Sequence, residues 1–434
     1  MLPILNPPPI DVDRELAAMR AELAAIRTRM QDGWMDDERA RSVRDIVRDA
    51  LADSATRASF MAEAWDAGYD GGEGGGAYFR ARDGSATMKL AGMIQNRFVA
   101  SSAYGPVEPP PGFTNSRWGF ETKTLFLAIS GQVIDKSITY VAVIAYTSQT
   151  NRFIVVPGGY RVPYASIRKG IGDGVGISMG LLNVPWDLES DYVGSSTLTS
   201  GDYSIFNYRF GAGKSPGATV DWTGSWMRAT AGVFNQFGTL STSWESQVNL
   251  SYCVAARAEA KWGIEWSQIS RMSSAPGDSS GVVLGLGACM SNGRGQNPQP
   301  PDGRATPSAQ GFTADARVML SPAVLIAQYA YMRDPAGGPE LGWYQGVNLQ
   351  ASSFVAPGVE PFVEACWMDD VPVEWIAQAG VNLYEGGKRV KVTLKAVVPF
   401  GGGNVNGIRV INGGLGIATA DNNASVIAQL QLRF

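Results

Sequence analysis

Two short segments carry residue types that could do chemistry. FGAGKSPG (210–217) ends in the Gly-Lys-Ser of a phosphate-cradling loop, whose backbone N–H groups and lysine hold a nucleotide. That loop also needs a glycine where Tyr208 stands, so the cradle is incomplete. PGDSSG (276–281) sets an acid beside two serines, as in a serine hydrolase. A serine nucleophile needs a base, and the chain has no histidine. The same absence removes Cys-His catalysis and His-ligated zinc. Cys253, Cys289 and Cys366 are far apart and lack metal-type spacing, so they read as isolated small residues on strands. No enzyme and no cofactor is expected.

What remains is charge in alternation. In KRVKVTLKAV, Val390, Val392, Leu394 and Ala396 share one strand face, and Arg389, Lys391, Thr393 and Lys395 share the other. TMKLAGMIQNRF sets Met88, Leu90, Ile94 and Phe98 against Lys89, Gln95 and Arg97. The closing SVIAQLQLRF sets Val426, Ala428, Leu430, Leu432 and Phe434 against Gln429, Gln431 and Arg433. A soluble sandwich buries the apolar set, whereas a membrane barrel shows it to lipid and turns the polar set to the lumen.

Composition agrees with an extended β protein rich in turns. The 434 residues include 52 Gly and 12 Trp, and only 18% are charged, against a usual figure of about 25%. Mean hydropathy is −0.06, which is what alternating strands produce. Residues 1–85 hold 11 of the 36 basic and 16 of the 40 acidic residues, leaving a nearly neutral 25 and 24 beyond. Without a basic stripe, no nucleic-acid partner is expected. MLPILNPPPID lacks the charged and apolar regions of a secretory signal, so the chain reads as a mature form.

The organisation expected is 1–66 helical, 67–76 a Gly-rich linker and 77–434 an all-β transmembrane antiparallel barrel of about sixteen strands. Val12, Leu16, Met19, Leu23, Ile26 and Met30 follow 4-3-4-3-4 spacing, the core of a short coiled coil that needs a larger assembly to hold it. Long connections at 101–116, 184–216, 293–311 and 401–424 contrast with turns such as Ser321-Pro322, the two-rim pattern of outer-membrane barrels. Trp118, Trp222, Trp262, Trp343, Trp367 and Trp375 near strand ends are candidates for interfacial girdles.

Several blocks resemble the phosphate-selective porin O and P family. GLLNVPWDLE (180–189), ATAGVFNQF (229–237), GVEPFVEACWMDD (358–370), AGVNLYEGGKRVKVTLKAV (379–397) and the terminal QLRF occur in the family's order. The resemblance covers nearly all of 77–434, and variants with a coiled coil before the barrel are similar to residues 1–66. It implies a homotrimer of sixteen-stranded barrels in the outer membrane of a diderm bacterium, with the N-terminus periplasmic. A loop at about 187–216 would fold inward and narrow each pore. Phe434 would be part of the signal read by the barrel-assembly machinery.

Residues facing such a narrow point set selectivity, because a confined, low-dielectric path strengthens their field. The candidates there are Arg209, Lys214, Arg168, Lys169, Arg161, Asp191, Asp202 and Tyr203, with Lys391, Lys395, Lys89 and Arg97 on the wall. The expected function is a water-filled channel for small hydrophilic solutes and ions, anions such as phosphate among them. The alternative is a structural envelope protein whose barrel anchors a periplasmic coiled coil.

Overall fold

The computed structural model describes residues 20–22, 42, 45, 65–71, 75–103, 116–147, 159–191, 197–235, 237, 252–291, 309–334, 342–369, 375–400 and 423–434. The chain divides into two units, Met1–Trp65 and Asp66–Phe434. In the first, Arg20, Ala21 and Glu22 are helical; Val12, Leu16, Met19, Leu23, Ile26 and Met30 lie outside the described residues.

The second unit is a closed antiparallel barrel of sixteen strands. Two short strands precede it, β1 (Trp65–Asp70) and β2 (Gly76–Ala81). Residues expected in the linker are thus partly extended, and β2 pairs with the first residues of the barrel's opening strand, Thr87 to Leu90. The wall begins with β3 (Thr87–Ala103), β4 (Ser116–Val133), β5 (Asp135–Thr147) and β6 (Gly159–Gly172). It continues through β7 (Val175–Asn183), β8 (Lys214–Thr223), β9 (Met227–Phe234), β10 (Cys253–Trp262), β11 (Gly281–Ser291) and β12 (Ala309–Leu320). The last strands are β13 (Ala323–Asp334), β14 (Gly342–Ser353), β15 (Val359–Met368), β16 (Trp375–Glu385), β17 (Val390–Phe400) and β18 (Asn423–Arg433). Each pairs with the next, and β18 returns to β3. At the seam's lower end Gly92 and Phe434 exchange both backbone bonds, at 2.6 and 3.0 Å.

The period-two pattern decides the faces. On β17, Lys391, Thr393 and Lys395 are buried toward the lumen, while Leu394 and Phe400 stand outside, about half exposed. On β18, Gln429 and Gln431 point in; Val426, Leu430 and Leu432 point out. A contiguous apolar outer face is what a barrel offers to hydrocarbon, since closure leaves no unpaired strand edge. Aromatics ring it at both ends. Trp118, Trp343 and Trp375 lie toward the rim of long connections, and Trp222, Trp226 and Trp262 lie toward the rim of short turns, all exposed.

Tight turns need special backbone. Between β6 and β7, Asp173 and Gly174 both have positive φ, and a Cβ on Gly174 would strike the carbonyl of Thr223. Glycine is the residue that meets both demands.

Candidate functional site: the occupied lumen

The connection after β7 turns into the barrel. Among its described residues are α1 (Leu188–Asp191) and α2 (Ile205–Phe210). Ser204 caps α2 by accepting the Asn207 N–H, and Asp187 accepts from the Asn207 amide at 2.9 Å. The α2 side chains Ile205, Phe206 and Phe210, with Trp186, form one apolar cluster with inward wall residues Ala330, Met332, Met368, Val397 and Ile427. Burying a side chain of this size stabilises by roughly 1.5–3 kcal/mol, which holds the loop to one side of the wall.

Polar bonds fix the register of that docking. Asp202 is fully buried and ion-paired with Arg97 of β3, Lys123 of β4 and Lys395 of β17, the last at 2.5 Å. Burial alone would raise its carboxyl, but the three cations together hold it well below the usual carboxylate range. Lys391 donates to the Leu198 carbonyl at 2.7 Å, and Asn382 donates to the Thr199 carbonyl at 2.9 Å. Glu189 accepts from the Ser204 N–H at 2.8 Å and from Gln328 of β13 at 2.9 Å. Burial, with the neighbouring Asp187 carboxylate adding to it, pushes the Glu189 carboxyl up to about 7 despite those two donors.

A second inward segment comes from the opposite rim. Residues 263–280, between β10 and β11, carry a short 3₁₀ turn at Trp266–Gln268. Ile264, Ile269 and Met272 pack with Leu188 and Leu198 of the first loop and with wall residues Val283, Met319, Val324 and Ile326. Thr199 donates to the Met272 carbonyl at 2.7 Å, so the two loops bond directly inside the barrel. Beside them, Arg228, Arg257 and Arg317 share Glu259, and Arg257 also meets Asp315 at 2.6 Å. Glycines on β11 leave the room for this. A Cβ on Gly285 would strike Arg257 and Asp315, and one on Gly287 would strike the Trp186 carbonyl.

The named candidates therefore fall into different places. Arg97, Lys391 and Lys395 are on the inner wall as their alternation requires, but the loop covers them. Asp202 anchors that loop, and Tyr203 packs at the edge of the lower apolar cluster. Arg209 is buried in α2 with its guanidinium over Tyr344, 4.9 Å from the ring centre. Lys214 lies over the Tyr164 ring at 5.7 Å, and Lys89 pairs with Asp70 at 2.8 Å. Arg168 faces the lumen and grips Asp221 with two bonds, at 3.0 and 2.6 Å, passing over Gly176. Lys169 is corrected: it follows Arg168 in an alternating strand, so it shares the outer register of Ile167 and Ile171 and pairs near the rim with Asp135. Asp191 closes α1, and Arg161 lies on β6; their side chains lie outside the described residues.

Sequence reading missed Lys123, Glu189, Glu259 and the whole 263–280 segment. Lys123 sits at a bulge opposite Gln95 and Asn96, and that extra residue breaks the alternation that would have revealed its face.

No family model and no curated protein matches the chain. Its likeness is to solved structures. OmpF of Salmonella typhi in complex with daunomycin matches at 14% identity and TM-score 0.51, over 81% of this chain and 98% of that one. OmpT of Vibrio cholerae in its trimer form matches at 11% identity and TM-score 0.51, over 81% and 100%. An anion-selective porin from Comamonas acidovorans matches at 12% identity and TM-score 0.49, over 80% and 100%. The fold is that of the outer-membrane barrels of the porin type.

Proposed function

We propose that this chain is an outer-membrane porin, a channel for passive diffusion of small hydrophilic solutes. The observation that carries the reading is a closed sixteen-stranded barrel with an apolar outer face and a narrowed lumen, in which part of the inner wall stays accessible. A barrel of this strand number encloses an aqueous channel, and inward loops set its width. Narrowing by a loop folded into the barrel suits the sieving of solutes that pass through it.

The finer assignments belong to the same proposal. The rim of short turns is periplasmic, and the first 66 residues form a coiled coil there. The protomers form a homotrimer, a reading supported by the trimer form of OmpT and by the multi-stranded character of the heptads. The ordered sequence blocks support membership of the phosphate-selective porin O and P family for the architecture of the barrel, with solute preference set by this chain's own lumenal residues.

The test is single-channel recording of the detergent-purified protein in a planar bilayer. Conductance steps arriving in threes are the expected result. Well-folded, heat-modifiable protein that inserts without conducting would overturn the reading and leave a structural anchor.

A further inference from the structure

The described residues fill the lumen unevenly. The inner faces of β10–β18 and of the upper half of β3 are buried, polar residues included: Asn348 and Asn382 are 0% exposed, and Lys395 is 4%. Both lumenal loops lie against that arc. The inner faces of β4, β5 and β6 are covered only toward the rim of long connections, where Lys123 and Ala145 are buried and Tyr164 packs on the apolar cluster, and they differ below. Phe126, Ser130, Val141, Val143 and Ser166 all point inward by register and all remain partly accessible.

Resting on the channel reading above, we infer that the open route runs off-centre along the inner face of β4–β6, and that it favours small, uncharged, partly apolar solutes over inorganic anions. The argument is one of availability. Arg97, Lys123, Lys391 and Lys395, the cations that could attract an anion, lie beneath the loop and are bonded to Asp202 or to loop carbonyls. A buried cation already matched by a carboxylate contributes little field to a path outside it. The charges that do reach the route are matched locally. Arg168 is held by Asp221, and Glu121 takes the Arg97 guanidinium. Between them the wall offers hydroxyls, valines and a phenylalanine. Such a surface gives hydrogen bonds to a neutral solute and contact to its apolar part, and it offers an inorganic anion no unmatched cation among the described side chains.

Three cysteines are already buried, so added ones can be read above their background. Val141→Cys and Ser166→Cys should react with a small methanethiosulfonate at least about tenfold faster than Thr393→Cys, whose site opens only by local unfolding. Mass shift reads this without any transport. Modification of Val141→Cys should also lower conductance, and in a vesicle-swelling assay methyl glucoside should enter faster than inorganic phosphate. Equal reaction at Thr393→Cys would overturn the off-centre route. Phosphate entering faster than methyl glucoside would overturn the solute class. A silent bilayer with the stated labelling pattern would instead overturn the channel reading while leaving the accessible face established.

Discussion

Asp202 is satisfied only where three wall cations converge, and each comes from a different strand. Removing one partner from such a buried set leaves uncompensated charge, which typically costs about 3–5 kcal/mol. Asp202→Asn should therefore lower the urea midpoint of unfolding markedly and increase single-channel noise as the loop loosens. Glu189 makes a prediction of opposite sign. Its carboxyl, with a native value of about 7, is higher than in the unfolded chain, so the native state binds more protons between about pH 4.5 and 7. The stabilisation from protonated Glu189 is complete at low pH and is lost as pH rises through that window. Glu189→Gln should flatten this part of the stability profile in urea titrations at stepped pH. Asp202 was visible in the sequence as a charged loop residue. Its role was not, because its partners lie as far as 193 residues away and only chain closure brings them together.

The strands were the most legible elements. Alternation placed Lys391, Lys395, Gln429 and Gln431 inward and Leu394 and Leu430 outward, as the barrel has them. The loop after β7 was legible as a long connection among those rich in Gly, Pro and Asn. The 263–280 segment was not, because its apolar residues Ile264, Ile269 and Met272 follow neither a helical nor a strand period; they answer to the other loop. Element packing here depends on missing side chains. Gly287 on β11 lies under the Trp186 carbonyl, where Thr313 also donates at 2.5 Å. Gly287→Val should push the loop off this arc. The expected result is a larger or unsteady conductance, together with faster proteolysis within the loop. An unchanged channel would mean that the loop does not rest where Gly287 permits it.

At the scale of the molecule, the described residues back one arc of the barrel with a second layer and leave much of the β4–β6 arc accessible. The outer face meets hydrocarbon or detergent on both arcs, and backed strands lose water from the inner face as well, so hydrogen exchange should be slower across β12–β17 than across β4–β6. That difference should persist after the exposed rims have exchanged. It would be measured by mass spectrometry on the detergent-solubilised protein. Uniform protection would indicate a lumen filled evenly.

The bonds between Gly92 and Phe434 carry a further meaning. They tie Phe434 to the barrel's opening strand, across a seam where Gln95 meets Gln431, 336 positions later. A ring of this kind has no completed part until its last member arrives. Each earlier hairpin presents an open edge, and the pairing of β18 with β3 is the point at which an extending sheet stops being able to grow.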